Sequence, residues 1–316
     1  MIKNIIIFGS NFGSTVHIKA IKKLKTFLKI SICSPNIKKK KIDINNIKIF
    51  NNYKAALKNN YEAVGVATVP NIQSKICNYI IKNKINIKYI LLEKPISPFF
   101  NETKKIIKSL VKSKINFLVN FIFENISAFK ELSKILKKKE IIYAKYEWKF
   151  KQMYFQNKIK TWKTNYLRGG GLVNYYLIHV FYNLYLFFDE LKIVKIKYVK
   201  NKKLVTQINL LILDSGKTKI LVKMNINSNE NKHSLFFVTA KEKYNLINTS
   251  KDWVKNFNLY KDNKKMHFKN AKYNRINLTA QNYNKLFMSK YSKKKIIKKI
   301  INSHKLCEKI VNKIYN

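Results

Sequence analysis

At 316 residues the chain is too long for a single small core and suits two domains of ordinary size, and 46% hydrophobic residues imply a globular protein with a sizeable interior. The 65 Lys+Arg against 16 Asp+Glu, a formal net charge of +49, would ordinarily suggest nucleic acid or an anionic membrane. Arg168 and Arg275 are the only arginines, however, and the lysines run from Lys3 to Lys313 without forming one patch. Readers of nucleic acid recruit the bidentate fork of arginine. The abundant Lys, Ile, Asn, Tyr and Phe share A/T-rich codons, so the charge is read as genomic bias and no specific nucleic-acid partner is expected. Cys33, Cys77 and Cys307 have neither pairing nor metal spacing, which points to reduced buried thiols, no metal site and a cytoplasmic protein. The N-terminal apolar run is too short for a signal peptide, and the greasiest stretch, about 14 residues from Tyr175, falls short of the ~20 a membrane span needs. No membrane partner is expected.

In chain order, residues 5–8 read as a strand, 16–24 as a helix, 28–33 as a strand, 52–57 as a short helix and 63–68 as a strand. A helix at 72–83, a strand at 89–92, a helix at 101–113 and a strand at 117–121 follow. Short apolar runs separated by helices predict a parallel sheet covered on both faces, a doubly wound Rossmann-like domain over 1–121. Beyond it the rhythm changes. A helix at 126–136 and a strand at 141–150 precede a long apolar helix within 169–188. Strand-like segments then succeed one another from 191 to 248 with turn signals at Asp214-Ser215-Gly216 and Asn227-Ser228-Asn229. Such a run predicts a second α+β domain, 122–316, on a large open, mostly antiparallel sheet, closed by a C-terminal helix at about 285–316. The lysine runs at 38–41 and 293–299 read as solvated surface.

The first strand runs into Gly9-Ser10-Asn11-Phe12-Gly13 and then a helix. A tight glycine turn there lets backbone N–H groups approach a diphosphate at the helix N-terminus, so these five residues are candidate cofactor ligands. The strict G-x-G-x-x-G pattern is broken, since Asn11 and Ser14 hold the second and third glycine places and Gly13 comes one place early. The second strand ends at Cys33-Ser34-Pro35-Asn36, without the carboxylate that usually grips an adenosine ribose. Ser34 followed by lysines suits a 2′-phosphate. The cofactor is therefore NAD or NADP with a lean to NADP, the alternative being a plain surface lysine run.

Later motifs are more specific. Ala67-Thr68-Val69-Pro70-Asn71 follows one strand, Glu93-Lys94-Pro95 another, and Trp162-Lys163-Thr164-Asn165 precedes Gly169-Gly170-Gly171 and His179. This ordered set resembles the glucose–fructose oxidoreductase / inositol dehydrogenase / MocA (Gfo/Idh/MocA) family across nearly the whole chain. The resemblance implies an NAD(P)-dependent oxidoreductase acting on a sugar, sugar nucleotide, cyclitol or related hydroxy compound. It also implies a nicotinamide ring between the domains beside the Glu93-Lys94-Pro95 loop, and a homo-oligomer formed through the C-terminal sheet.

The same resemblance assigns roles. Lys94 contacts cofactor and reacting oxygen, with Pro95 holding the turn, plausibly by a cis peptide. Thr68, Pro70, Asn71 and Glu93 join the cofactor set, while Gln73, Asn120, Trp162 and Lys163 are substrate candidates. His179 falls at the substrate-contacting histidine, where an imidazole of near-neutral pKa suits proton transfer with an alcohol. Many members carry aspartates four residues before and three after that histidine; here Tyr175 and Tyr182 stand there. Tyr175 is then a candidate proton relay, with packing as the alternative. The losses also admit another reading, a catalytically degenerate nucleotide-binding regulatory or scaffold member. His17 is expected to pack or cap.

Overall fold

The computed structural model of the protein describes residues 3–24, 29–35, 37, 47–157, 159–202, 204–268, 273–288 and 294–315. The lysines at 38–41, on which the lean to NADP rests, lie outside these. Strand β1 (Asn4–Phe8) leads through a wide π-type segment (Gly13–Ile18) into α1 (Lys19–Lys22). There follow β2 (Lys29–Cys33), β3 (Lys48–Phe50), α2 (Tyr53–Ala56), β4 (Ala63–Val66), α3 (Pro70–Lys82), β5 (Tyr89–Leu92), α4 (Phe100–Lys112) and β6 (Asn116–Val119). Next come α5 (Ser127–Leu136), β7 (Ile141–Lys151), α6 (Met153–Gln156), a second π-type segment (Leu172–Leu177) and α7 (Ile178–Leu184). The antiparallel run is β8 (Leu191–Asn201), β9 (Leu204–Asp214), β10 (Thr218–Asn225), β11 (Asn227–Thr239), β12 (Lys243–Asn248), β13 (Asn258–Lys261) and β14 (Lys264–Lys265). Two helices close the chain, α8 (Arg275–Met288) and α9 (Lys294–Tyr315).

The elements form two compact units, Met1–Ile122 with Arg275–His304, and Phe123–Asn274 with Lys305–Asn316. The first holds a six-stranded sheet in the order β3-β2-β1-β4-β5-β6, whose neighbours pair in parallel. Every residue of β4 and β6, and all but the first of β1 and β5, is buried, as strands covered on both faces require. Ile5, Ile7, Ala63, Leu91 and Leu118 share one core with Ile18 and Ile21, and with Ala280, Tyr283 and Leu286 of α8.

That last contribution departs from the contiguous division, which gave everything after 121 to the second domain. Arg275–His304 belongs to the first unit because α8 presents an apolar stripe to its sheet. Asn116 Nδ2 also donates to the Leu286 carbonyl at 2.9 Å, tying the last turn of α8 to β6. The expected single C-terminal helix is two helices among the described residues.

The second unit is built on an eight-stranded sheet ordered β14-β13-β12-β11-β7-β10-β9-β8, antiparallel except where β7 pairs with β10. Ala144, Tyr146, Trp148 and Phe150 alternate along β7 and are buried on one face. On the other, Glu147 is ringed by Lys145, Lys149 and Lys232 at 3.0–3.2 Å. Burial would raise the Glu147 carboxyl, but hydrogen bonds from the three ammonium groups prevail and hold it down at about 2. Among the described residues no helix is long and apolar enough to cross a membrane, and no cluster of His, Cys, Asp or Glu is placed to hold a metal. The three cysteines are free and buried.

Candidate active site

In the first unit the candidate cofactor residues lie at the carboxyl ends of β1, β2, β4 and β5. The strand order reverses between β1 and β4, the switch point outside which doubly wound sheets bind ligands. Gly9 takes φ +112°, and a Cβ there would lie 2.3 Å from the Ala67 carbonyl oxygen, so the turn after β1 can pass over the end of β4 only as glycine. At Gly13 the fit is tight but less strict, a Cβ lying 3.1 Å from an Ile7 methyl. The Gly9 N–H donates to the Cys33 carbonyl at 2.9 Å, and Ser34 Oγ bonds Ser10 Oγ at 3.0 Å. These contacts join the glycine turn to the end of β2, where an adenosine ribose would rest. Ser14 and Thr15 hydroxyls turn back to the Ser10 and Asn11 carbonyls, and the Thr15 N–H donates to the Asn11 carbonyl at 3.0 Å, so the helix begins directly from the glycine turn.

The turn after β4 puts Pro70 at the first position of α3, where its missing N–H costs nothing. Thr68 Oγ1 donates to the Val69 carbonyl at 3.3 Å. Asn71 Oδ1 is buried with no hydrogen-bond partner among the described residues. An acceptor left in that state asks for an outside donor. The confined glycine turn and this orphaned oxygen both fit a dinucleotide.

After β5 comes the loop with Lys94. The Lys94–Pro95 peptide is cis, as the motif implied, and Lys94 is half-buried. Its neighbour Glu93 anchors a polar network inside the unit. Tyr283 Oη donates to His17 Nδ1 at 2.8 Å, and His17 Nε2–H donates to Glu93 Oε1 at 3.0 Å. Asn120 Nδ2 donates to the same oxygen at 2.6 Å and to Thr279 Oγ1 at 3.2 Å, while Asn282 Nδ2 donates to Asn120 Oδ1 at 2.8 Å. Burial and the Glu93 charge push the Tyr283 phenol well above its ordinary value. His17, expected to pack or cap, is therefore a hydrogen-bonded link between the glycine-turn helix and the Glu93-Lys94-Pro95 loop.

Two substrate candidates sit elsewhere than expected. Gln73 is fully buried, its amide committed to the backbone of residues 93–96, and Asn120 is buried inside the Glu93 network. In both, the side-chain amide is engaged in hydrogen bonds within the unit.

The second unit collects the remaining candidates. Gly170 packs so tightly on the Trp162-Lys163 backbone that a Cβ would lie 2.1 Å from the Trp162 oxygen, which fixes the triple glycine against this loop. Trp162 meets Tyr175 edge to face at 5.3 Å. Lys163 Nζ donates to Tyr154 Oη at 3.1 Å and lies 4.8 Å and 5.5 Å from the Tyr154 and Tyr175 ring centres. Burial works to lower the Lys163 ammonium, but the two phenols outweigh it and its pKa is raised. His179 is buried, with its ring edge-on to Phe123 at 5.3 Å and Trp148 at 6.2 Å. Tyr182 donates to Glu124 Oε2 at 3.2 Å, and burial together with that carboxylate raises its phenol. The sequence reading missed Tyr154, Glu124, Tyr283 and Asn282, none of which lies in a motif.

Residues 3–121 match the model of the GFO_IDH_MocA family, described as an oxidoreductase family with an NAD-binding Rossmann fold. The match spans the six parallel strands of the first unit. No curated protein matches the chain in sequence. Among solved structures, a Gfo/Idh/MocA family oxidoreductase from Vibrio cholerae aligns over 100% of both chains at 13% identity and a TM-score of 0.74. KijD10, a 3-ketoreductase from Actinomadura kijaniata in complex with NADP and TDP-benzene, aligns over 98% of this chain and 96% of its own at 11% identity and a TM-score of 0.81. The WlbA dehydrogenase from Bordetella pertussis, in complex with NADH and UDP-GlcNAcA, aligns over 99% and 96% at 12% identity and 0.81. At these identities the likeness shows the fold alone, and it extends through the second unit.

Proposed function

We propose that the protein is an NAD(P)-dependent oxidoreductase that transfers a hydride to or from a hydroxyl- or keto-bearing carbon of a sugar, sugar nucleotide or cyclitol. Lys94 carries this reading. It stands at the carboxyl end of β5, two strands from the confined glycine turn, on a loop whose neighbours are hydrogen-bonded from several sides. A bound nicotinamide dinucleotide supplies or accepts the hydride. The Lys94 ammonium stabilises the charge that develops on the substrate oxygen and relays its proton. Gly9 to Gly13 hold the diphosphate by backbone N–H groups. The end of β2 offers Ser34 and no carboxylate, which favours NADP over NAD.

In the second unit Tyr175, half-buried beside Lys163, is the proposed second proton-transfer group, and Trp162 and Lys163 line its surroundings. The UDP-GlcNAcA bound to WlbA and the TDP-benzene bound to KijD10 are both nucleoside diphosphate compounds, which supports a sugar nucleotide as substrate. Self-association through the eight-stranded sheet is part of the proposal, and sedimentation of the purified protein tests it. The main test is a rise in melting temperature with NADP(H) or NAD(H), followed by turnover on a panel of nucleotide sugars and polyols. No cofactor response and no turnover would remove the reading.

One observation favours a second reading. His179 is buried between aromatic rings, and Tyr182 rather than aspartate stands three residues on. A regulatory member that binds nucleotide without chemistry would show the cofactor response and no turnover.

A further inference from the structure

The loop that presents Lys94 is irregular and contains Pro95, which has no N–H, so its polar groups must find partners outside regular structure. One buried side chain does most of that work. Gln73, on α3 and 0% exposed, accepts the Glu93 N–H at 2.8 Å through Oε1. Its Nε2 donates to the Glu93 carbonyl at 2.7 Å and to the Pro95 and Ile96 carbonyls at 3.1 Å each. These groups bracket Lys94 on both sides. Only a primary amide of this length offers one acceptor and two donors in one plane. From behind, His304 Nε2 accepts the Ile96 N–H at 3.3 Å while its Nδ1–H donates to the Ile300 carbonyl at 2.8 Å.

The geometry points to Gln73 as the positioning residue of Lys94: it touches no ligand and fixes the backbone from which the reacting ammonium projects. This inference rests on the proposed function for its kinetic consequence, since a displaced Lys94 matters only if Lys94 acts in the reaction. Its structural half stands independently. Gln73→Met keeps the volume and removes all four hydrogen bonds, taking the amide donor from the Glu93 carbonyl and from the buried Pro95 and Ile96 carbonyls.

The test compares wild type, Gln73→Met and Gln73→Glu, the last keeping the acceptor and losing both donors. In the substrate assay, kcat falls ~100-fold in both variants, the scale of a misplacement of ~1 Å, while KM for the nicotinamide cofactor stays within ~3-fold because the diphosphate turn is untouched. Competitive acetylation read by peptide mass spectrometry shows a changed Lys94 reactivity, with exposed Lys75 and Lys104 as unchanged internal standards. A folded Gln73→Met protein with wild-type kcat and wild-type Lys94 labelling overturns the inference. If the wild type neither binds cofactor nor turns over, the functional reading fails and the labelling still decides the clamp. Should the variants not fold, the Gln73 side-chain amide protons of wild type provide the measurement. Protection from exchange supports the clamp, and exchange at the rate of exposed amides overturns it.

Discussion

The Tyr283 hydroxyl occupies the space that a side chain on Gly65 would need: a Cβ at residue 65 would come within 2.2 Å of that oxygen and 2.6 Å of Ile7 Cδ1. Glycine in the middle of β4 is thus the condition for Tyr283 to reach His17 and, through it, Glu93. Gly65→Ala should cost about 1–3 kcal/mol by overpacking, measured by chemical denaturation. Removing the hydroxyl relieves the closest clash, so Gly65→Ala combined with Tyr283→Phe should be less destabilised than the two single costs summed. Strict additivity would mean that the two groups do not share this space.

Lys94→Met should lower turnover by about a hundredfold or more, because a group that meets developing charge is lost, while the melting temperature stays near that of wild type. Retained turnover in this variant would remove Lys94 from the mechanism.

Gly9→Ala places a side chain at φ +112° and 2.3 Å from the Ala67 oxygen. The backbone strain is about 1–3 kcal/mol before the clash is counted. We expect a destabilised protein whose melting temperature no longer responds to NADP(H) or NAD(H). An undiminished cofactor response would show that the diphosphate is held elsewhere.

Stability should fall on mild acidification. Burial pushes the His304 imidazole from 6.5 down to about 4 and His233 down to about 3. Between those values and 6.5 the unfolded chain binds more protons than the folded one, so this stability is full above pH 6.5 and drains as pH falls toward 4 and below. For His304 the shift corresponds to about 3 kcal/mol. Melting curves across pH 4–7 should show the decline, and His304→Gln should flatten it relative to wild type. An identical slope in that variant would refute the assignment of His304.

Much of the first unit can be read locally. Runs such as Ile5–Phe8 and 89–92 are apolar over their whole length because both faces of a parallel strand are covered, and Gly9 and Glu93-Lys94-Pro95 are punctuation within a few residues of those strands. What escaped reading depends on distance along the chain. His17 and Tyr283 are 266 residues apart, and no local pattern tells a histidine that caps a turn from one that bridges a helix to the loop after β5. Gln73 and Asn120 fell at motif positions and looked like ligand contacts, yet burial turned their amides inward onto backbone and onto Glu93. In the second unit, residues 141–150 read as the strand that β7 is, but Lys163 beside Tyr154 and Tyr182 on Glu124 arise from folded proximity alone.

The return of α8 to the first unit carries a consequence for biogenesis. Synthesis proceeds from the N-terminus, and leading domains usually fold as they leave the ribosome. Here the six strands are finished by residue 119, but the core they share with Ala280, Tyr283 and Leu286 stays open until more than half the chain has followed. A nascent chain therefore carries an uncovered aliphatic surface through about half of translation. Truncations that stop at the apparent end of the nucleotide domain should inherit that surface permanently and depend on chaperones for solubility.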